Sequence, residues 1–149
     1  MNIVKRPDQY DESNVLFCDP IKNNVMNDGN FIRILYSTQW FTMNGIYLLM
    51  TLHDITCEKY YLKYRCSFNY STHKDTIDNI KVIEEDILKK YEIKDKVAQF
   101  KIFEQLRNGN IKIFSDVINK SMCSFILKIS GIWETQYNYG LTYKFIKIN

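Results

Sequence analysis

The hydrophobic period of this chain changes near residue 72 and changes back near residue 110, and that double switch limits what it can fold into. Upstream, Tyr60, Leu62, Tyr64, Cys66, Phe68 and Tyr70 alternate with Lys59, Tyr61, Lys63, Arg65, Ser67 and Asn69. Period two over residues 58–70 predicts one long strand with an apolar face and a basic face that has an aromatic in its middle. Downstream, Ile77, Ile80, Ile83 or Glu84, Ile87 and Tyr91 recur every three to four residues, which predicts an amphipathic helix over 75–91. Thr72 and Asp75 read as its capping box, and Asp78, Glu85 and Asp86 as its solvated face.

The remaining strands follow from the same patterns. Residues 31–36 alternate, and residues 46–52 form a nearly continuous apolar run, as expected of a strand buried on both faces. Residues 111–114, 122–133 and 141–148 are further strands. In the middle one, Cys123, Phe125, Leu127, Ile129 and Trp133 share one phase, so Trp133 is expected in the core. A short apolar run at 14–18 stops at Asp19-Pro20, a turn is expected at Asp28-Gly29, and residues 96–106 read as a second helix. Residues 1–13 read as a loose N-terminal arm, and residues 14–149 as a single domain. A single alanine, Ala98, beside 15% aromatic residues favours strands over a helical bundle. The expected fold is mainly β (α+β), an OB-like Greek-key β-barrel with one long helix after the third main strand. Another compact barrel or sandwich with a helical insert satisfies the same pattern.

Several chemistries lack the residues they need. The N-terminus carries no basic-then-apolar signal pattern, and no apolar run reaches the roughly 18 residues of a membrane span. An unsecreted chain with four reduced cysteines is expected. His53, Cys57, Cys66 and His73 include the residue types of a zinc site, but their spacing matches no finger or knuckle, so buried thiols and ordinary histidines are the simpler reading. Nucleophilic catalysis would use Cys57 near His53, or Cys123 with a positioned base, but adjacency in sequence does not establish adjacency in the fold. Consecutive acids at 84–86 read as helix surface, and five glycines are too few for a phosphate-cradling loop. No catalytic residue, metal or cofactor is expected.

What does emerge is basic charge interleaved with aromatics. Residues 96–149 hold eight basic and three acidic side chains, whereas residues 1–95 hold twelve and fourteen. Such a balance suits a polyanion. Single-stranded nucleic acid is bound by a basic groove together with exposed rings on which bases stack, at roughly 1–3 kcal/mol per base. The expected phosphate contacts are Lys59, Lys63, Arg65, Lys128, Lys144 and Lys147. The expected stacking residues are Trp40, Tyr61 and Tyr137.

The stretch ILKISGIWETQYNYGLTYKFIKIN, residues 126–149, resembles the C-terminal signature of the small OB-fold single-stranded-DNA-binding proteins of tailed phages and nucleocytoplasmic large DNA viruses. The matching positions are Gly131, Trp133, Gly140, Leu141, Thr142, Tyr143 and Lys144. The resemblance implies an oligonucleotide-binding barrel that holds single-stranded DNA in viral replication or recombination, with replication proteins as further partners. The host cell cytoplasm or the viral replication site is the implied location. An exposed edge strand leaves a homo-oligomer open. The phage members end in an acidic tail, which this sequence lacks, so tail-mediated recruitment is not carried over. The rival expectation is a structural or interaction protein of a virus particle, a minor virion component whose exposed aromatics meet another subunit.

Overall fold

A computed structural model describes residues 4–23, 29–113 and 122–148. In chain order the elements are β1 (Val15–Phe17), β2 (Ile21–Asn23), β3 (Gly29–Ser37), β4 (Thr42–Met43), β5 (Ile46–His53), β6 (Thr56–Tyr60) and β7 (Lys63–Ser67). Helix α1 (Lys74–Lys90), β8 (Val97–Gln99), helix α2 (Lys101–Arg107), β9 (Asn110–Ile113), β10 (Met122–Glu134) and β11 (Asn138–Ile148) complete the chain. The expected turn at Asp28-Gly29 and the side chain of Cys123 fall partly or wholly outside the described residues.

Strand β10 organises the sheet. Along one edge it pairs antiparallel with β11, from Ser124↔Ile148 to Glu134↔Tyr139. Along the other it pairs first with β5 and then with β3. Strand β11 continues the sheet through a parallel pairing with β9, which pairs with β7 and so with β6. The architecture is thus mainly β, one open sheet with one long helix. Among the described residues β6 pairs with β7 alone, so the strand order does not close.

One face of this sheet is the core. Ile32, Ile34, Leu48, Met50, Leu52, Phe125, Leu127, Ile129 and Phe145 are buried there against Ile77, Ile80, Ile83 and Ile87 of α1 and Ile102 and Leu106 of α2. Each fully buried aliphatic side chain stabilises by about 1.5–3 kcal/mol, which is why α1 follows its 3.6-residue period. Its start differs from the expected capping box: a 3-10 turn, Ser71–His73, leads into the helix with no side-chain cap. The His53 N–H donates to Nε2 of His73 (2.8 Å), so the imidazole proton sits on Nδ1 and faces the Asn69 carbonyl at 2.8 Å. His73 therefore ties the end of β5 to the start of α1.

Glu84 departs from the solvated face expected for the acids at 84–86. It is buried, and its carboxylate accepts the backbone N–H groups of Ile102 (3.0 Å) and Phe103 (2.9 Å). These are donors of the first turn of α2, which have no partner within the helix. A side chain of α1 thus caps α2. Burial outweighs those hydrogen bonds and raises the Glu84 pKa to about 7.

Four other expectations change with the fold. Residues 58–70 are not one strand: a turn at residues 61–62 splits them into the β6–β7 hairpin, with Tyr61 at φ +57°. Strand β5 is buried on one face only, alternating with half-buried Tyr47, Leu49 and Thr51. Residues 96–106 form β8 followed by the short α2 rather than a single helix. Apart from these changes, in the segment read as an N-terminal arm the Lys5 N–H donates to the Tyr47 carbonyl and the Lys5 carbonyl accepts from the Leu49 N–H.

The fourth change concerns Trp133. The β10–β11 register shifts between Ile129 and Gly131, where Ser130 is the extra residue of a bulge. Beyond the bulge Ile132 is buried and Trp133 points to the opposite face, half-buried. The expected core phase holds through Ile129 and then inverts.

Candidate nucleic-acid interface

The outer face of the sheet, turned away from the core, carries a row of cations that register builds. Lys128 of β10 stands opposite Tyr47 of β5 and opposite Lys144 of β11. The pairing Phe145↔Ile113 places Lys144 and Lys112 side by side, one residue back on each parallel strand. Lys112 in turn stands opposite Arg65 of β7, and Arg65 opposite Glu58 of β6. Four cations thus occupy four neighbouring strands, with Tyr47 at one end and Glu58 at the other. At roughly 4.8 Å between strands, they span roughly 14 Å.

This row costs the fold something. Like charges directly opposite each other across strands destabilise, by up to about 1 kcal/mol for a pair near 5 Å in water. No acid among the described residues forms an ion pair with Lys128, Lys144, Lys112 or Arg65, whereas Arg6–Asp8, Lys81–Glu85 and Lys96–Glu134 do pair. A bound polyanion relieves that repulsion.

Two depressions flank Lys112. One, of about 300 Å³, is lined by Tyr60, Lys63, Arg65 and Lys112. The other, of about 330 Å³, lies between Lys112, Asn110, Tyr143 and the α2 residues Lys101, Glu104 and Gln105. In its wall the Tyr143 hydroxyl donates to Gln105 Oε1 at 2.6 Å. Burial, reinforced by Glu84 and Glu104, pushes the Tyr143 phenol up to about 12, so it stays neutral and positions rather than titrates.

Aromatic rings extend the outer face. The Lys128 Nζ lies 5.5 Å from the Tyr47 ring centroid, and the Arg33 guanidinium 5.9 Å from that of Phe31. Trp133 stands opposite Gly140 and Phe31. A Cβ at Gly140 would meet the Trp133 ring at 2.7 Å, and one at Gly131 the Phe31 ring at 2.5 Å. Both glycines therefore seat rings flat on the sheet, a packing reason for Gly131, Trp133 and Gly140.

No protein-family model, curated protein or solved structure matches this chain. What the face can do therefore follows from its own side chains.

Of the cations expected from sequence, Lys128, Lys144 and Arg65 join this row, and Lys63 lines the adjoining depression. Two do not join it. Lys59 stands opposite Tyr64, on the phase of Cys66 and the core, because the hairpin turn inverts the parity of β6 relative to β7. Lys147 stands opposite Phe125 and so takes the core phase at the sheet's end. The stacking candidates are all exposed, Trp40 and Tyr61 at 81% and Tyr137 at 66%, but they occupy the β3–β4 loop, the β6–β7 tip and the β10–β11 turn, not one platform. Sequence reasoning missed Lys112, Tyr47 and Tyr60. Lys112 alternates with buried Ile111 and Ile113, which signals its outward direction but not its neighbours.

Both ring nitrogens of His73 are engaged by backbone groups, and among the described residues no three His, Cys, Asp or Glu side chains form a metal-holding group. No described helix is long and apolar enough to cross a membrane.

Proposed function

We propose that the protein is a non-enzymatic binder of single-stranded DNA, with the strand lying across the outer face of the sheet. The observation that carries this reading is the row Lys128, Lys144, Lys112 and Arg65, one cation per strand, between Tyr47 at one end and the Tyr60–Lys63 depression at the other. Its charges pair with phosphates, while Tyr47, Trp133, Tyr60 and the exposed Tyr61 offer ring faces to bases. The position of α1, after the β6–β7 hairpin and before β9, supports an OB-like reading of the sheet. The signature residues Gly131, Trp133 and Gly140 to Lys144 support a place in the replication or recombination of a DNA virus, with replication proteins as further partners.

The test is a fluorescence titration with a single-stranded thymidine oligomer at about 50 and 200 mM salt, with duplex as control. Four phosphate contacts predict a slope of log K against log salt of about −3. Absence of binding at the lower salt, or a slope near zero, sinks the reading.

One observation favours a second reading, an interaction protein of a virus particle. Tyr60, Tyr61 and Leu62 form a hairpin tip exposed by 65, 81 and 85%. Contiguous exposed apolar side chains mark contact surfaces. On that reading Leu62→Asp abolishes self-association or partner capture and leaves the oligomer titration flat.

A further inference from the structure

The β6–β7 hairpin sets Cys57 directly opposite Cys66, with their sulfurs 2.7 Å apart. The turn at residues 61–62 makes Tyr60 and Lys63 the hydrogen-bonded pair that closes the hairpin. Hydrogen-bonded and non-hydrogen-bonded pairs alternate from there, so Cys57 and Cys66 are a non-hydrogen-bonded pair with Cα atoms about 4.5 Å apart. A disulfide accepts Cα separations of about 4.4–6.8 Å. Both side chains are on the core side of the hairpin, where Cys66 is fully buried and Cys57 half-buried.

We propose that Cys57 and Cys66 are a redox modification site, forming a disulfide in exchange with a low-molecular-weight disulfide such as oxidised glutathione. The Cys57 thiolate, the more accessible, attacks one sulfur of that disulfide; a mixed disulfide forms and one small thiolate leaves. The Cys66 thiolate then attacks the Cys57 sulfur, the intramolecular disulfide forms, and the second small thiolate leaves. The protein sulfurs lose two electrons, the small disulfide gains them, and the two thiol protons end on the released thiols.

The bond acts on the end of the strand order. Strand β6 pairs with β7 alone among the described residues, and the hairpin tip holds Tyr61 in a left-handed conformation. Cross-linking residues 57 and 66 removes the fraying freedom of this edge, holding Tyr60, Lys63 and Arg65 in place on the opposite face. The modification stands whatever the outer face binds.

Full-length protein is incubated with oxidised glutathione, quenched with acid, denatured, alkylated and digested for mass spectrometry. Cys57 and Cys66 are expected to escape alkylation together, in linked peptides lacking the two thiol hydrogens. Hydrogen exchange over residues 56–67 is expected to slow on oxidation, by up to about a hundredfold. In Cys57→Ala, Cys66 is expected to be fully alkylated after the same treatment. A persistent glutathione adduct on Cys57, alkylation of both residues, or a link to Cys18 or Cys123 instead would overturn the site. Unchanged exchange in the linked protein would overturn its effect on the hairpin.

Discussion

The two faces of one sheet are built from alternate residues of the same strands, yet they answer to different constraints. Toward the helices stand Leu48, Leu127, Phe145 and Ile113, all buried. Away from them, one residue along on each strand, stand Tyr47, Lys128, Lys144 and Lys112. The inner set contributes stability through apolar area, with each member replaceable only by something of its volume. The outer set contributes no comparable burial and sets like charges side by side. A charge row that folding does not require is where binding chemistry is to be sought.

The sharpest way to separate the faces is to damage the inner one. Phe125→Ala is expected to cost about 3–5 kcal/mol in urea unfolding, because the side chain is fully buried at the centre of the sheet. Its affinity for single strands should change only as far as the folded fraction falls. Affinity lost in fully folded Phe125→Ala would break the division.

Glu84 tests the inner face by pH. Its folded pKa, raised to about 7, lies above the ordinary 4.5, so the folded state binds the proton more tightly than the unfolded chain. The stabilisation is fully present below about pH 4.5 and is lost as pH rises through about 7, on the order of 2–4 kcal/mol in all. Glu84→Gln keeps a carbonyl acceptor for α2 and removes the titration. Its stability between pH 5 and 8 should be flatter than that of the wild type; parallel profiles would show that another group is responsible.

Smaller effects are expected where a ring packs on the sheet. Gly131→Ala drives a methyl group into the Ile32 carbonyl and the Phe31 ring and should cost about 1–3 kcal/mol by thermal or urea unfolding. An unchanged melting curve would show that Phe31 moves freely off the face.

The outer face should respond in the opposite sense. Lys128→Ala and Lys144→Ala are each expected to leave stability unchanged or raise it by about 0.2–1 kcal/mol, since each removes one partner of a facing like-charge pair. Each should also lower the salt slope of oligonucleotide binding by about 0.7. Lys147→Ala, on the core phase, should leave that slope alone, and an equal loss there would erase the distinction between faces.

Much of the inner face is legible in the chain. The intervals among Ile77, Ile80, Ile83 and Ile87 describe a helix because 3.6 residues per turn bring them to one side whatever lies opposite. The phase of Phe125, Leu127 and Ile129 describes a half-buried strand on the same logic. Such periodicities are local, and a residue's own neighbours suffice to set them. The exposure of Trp40 and Tyr137 likewise follows from their places in a break and a turn, whereas Tyr61, expected on the outer face of a strand, is exposed at a hairpin tip.

The outer face depended on decisions between strands. A bulge at Ser130 turned Trp133 from the core phase to the opposite side, and a turn at residues 61–62 separated Lys59 from Lys63 and Arg65. A parallel pairing between β9 and β11, far apart in sequence, set Lys112 beside Lys144. Hydrophobic period reports which residues share a face of one strand. Which strand lies alongside, in what register and with how many extra residues is a property of pairs, so only tertiary pairing could assemble the row.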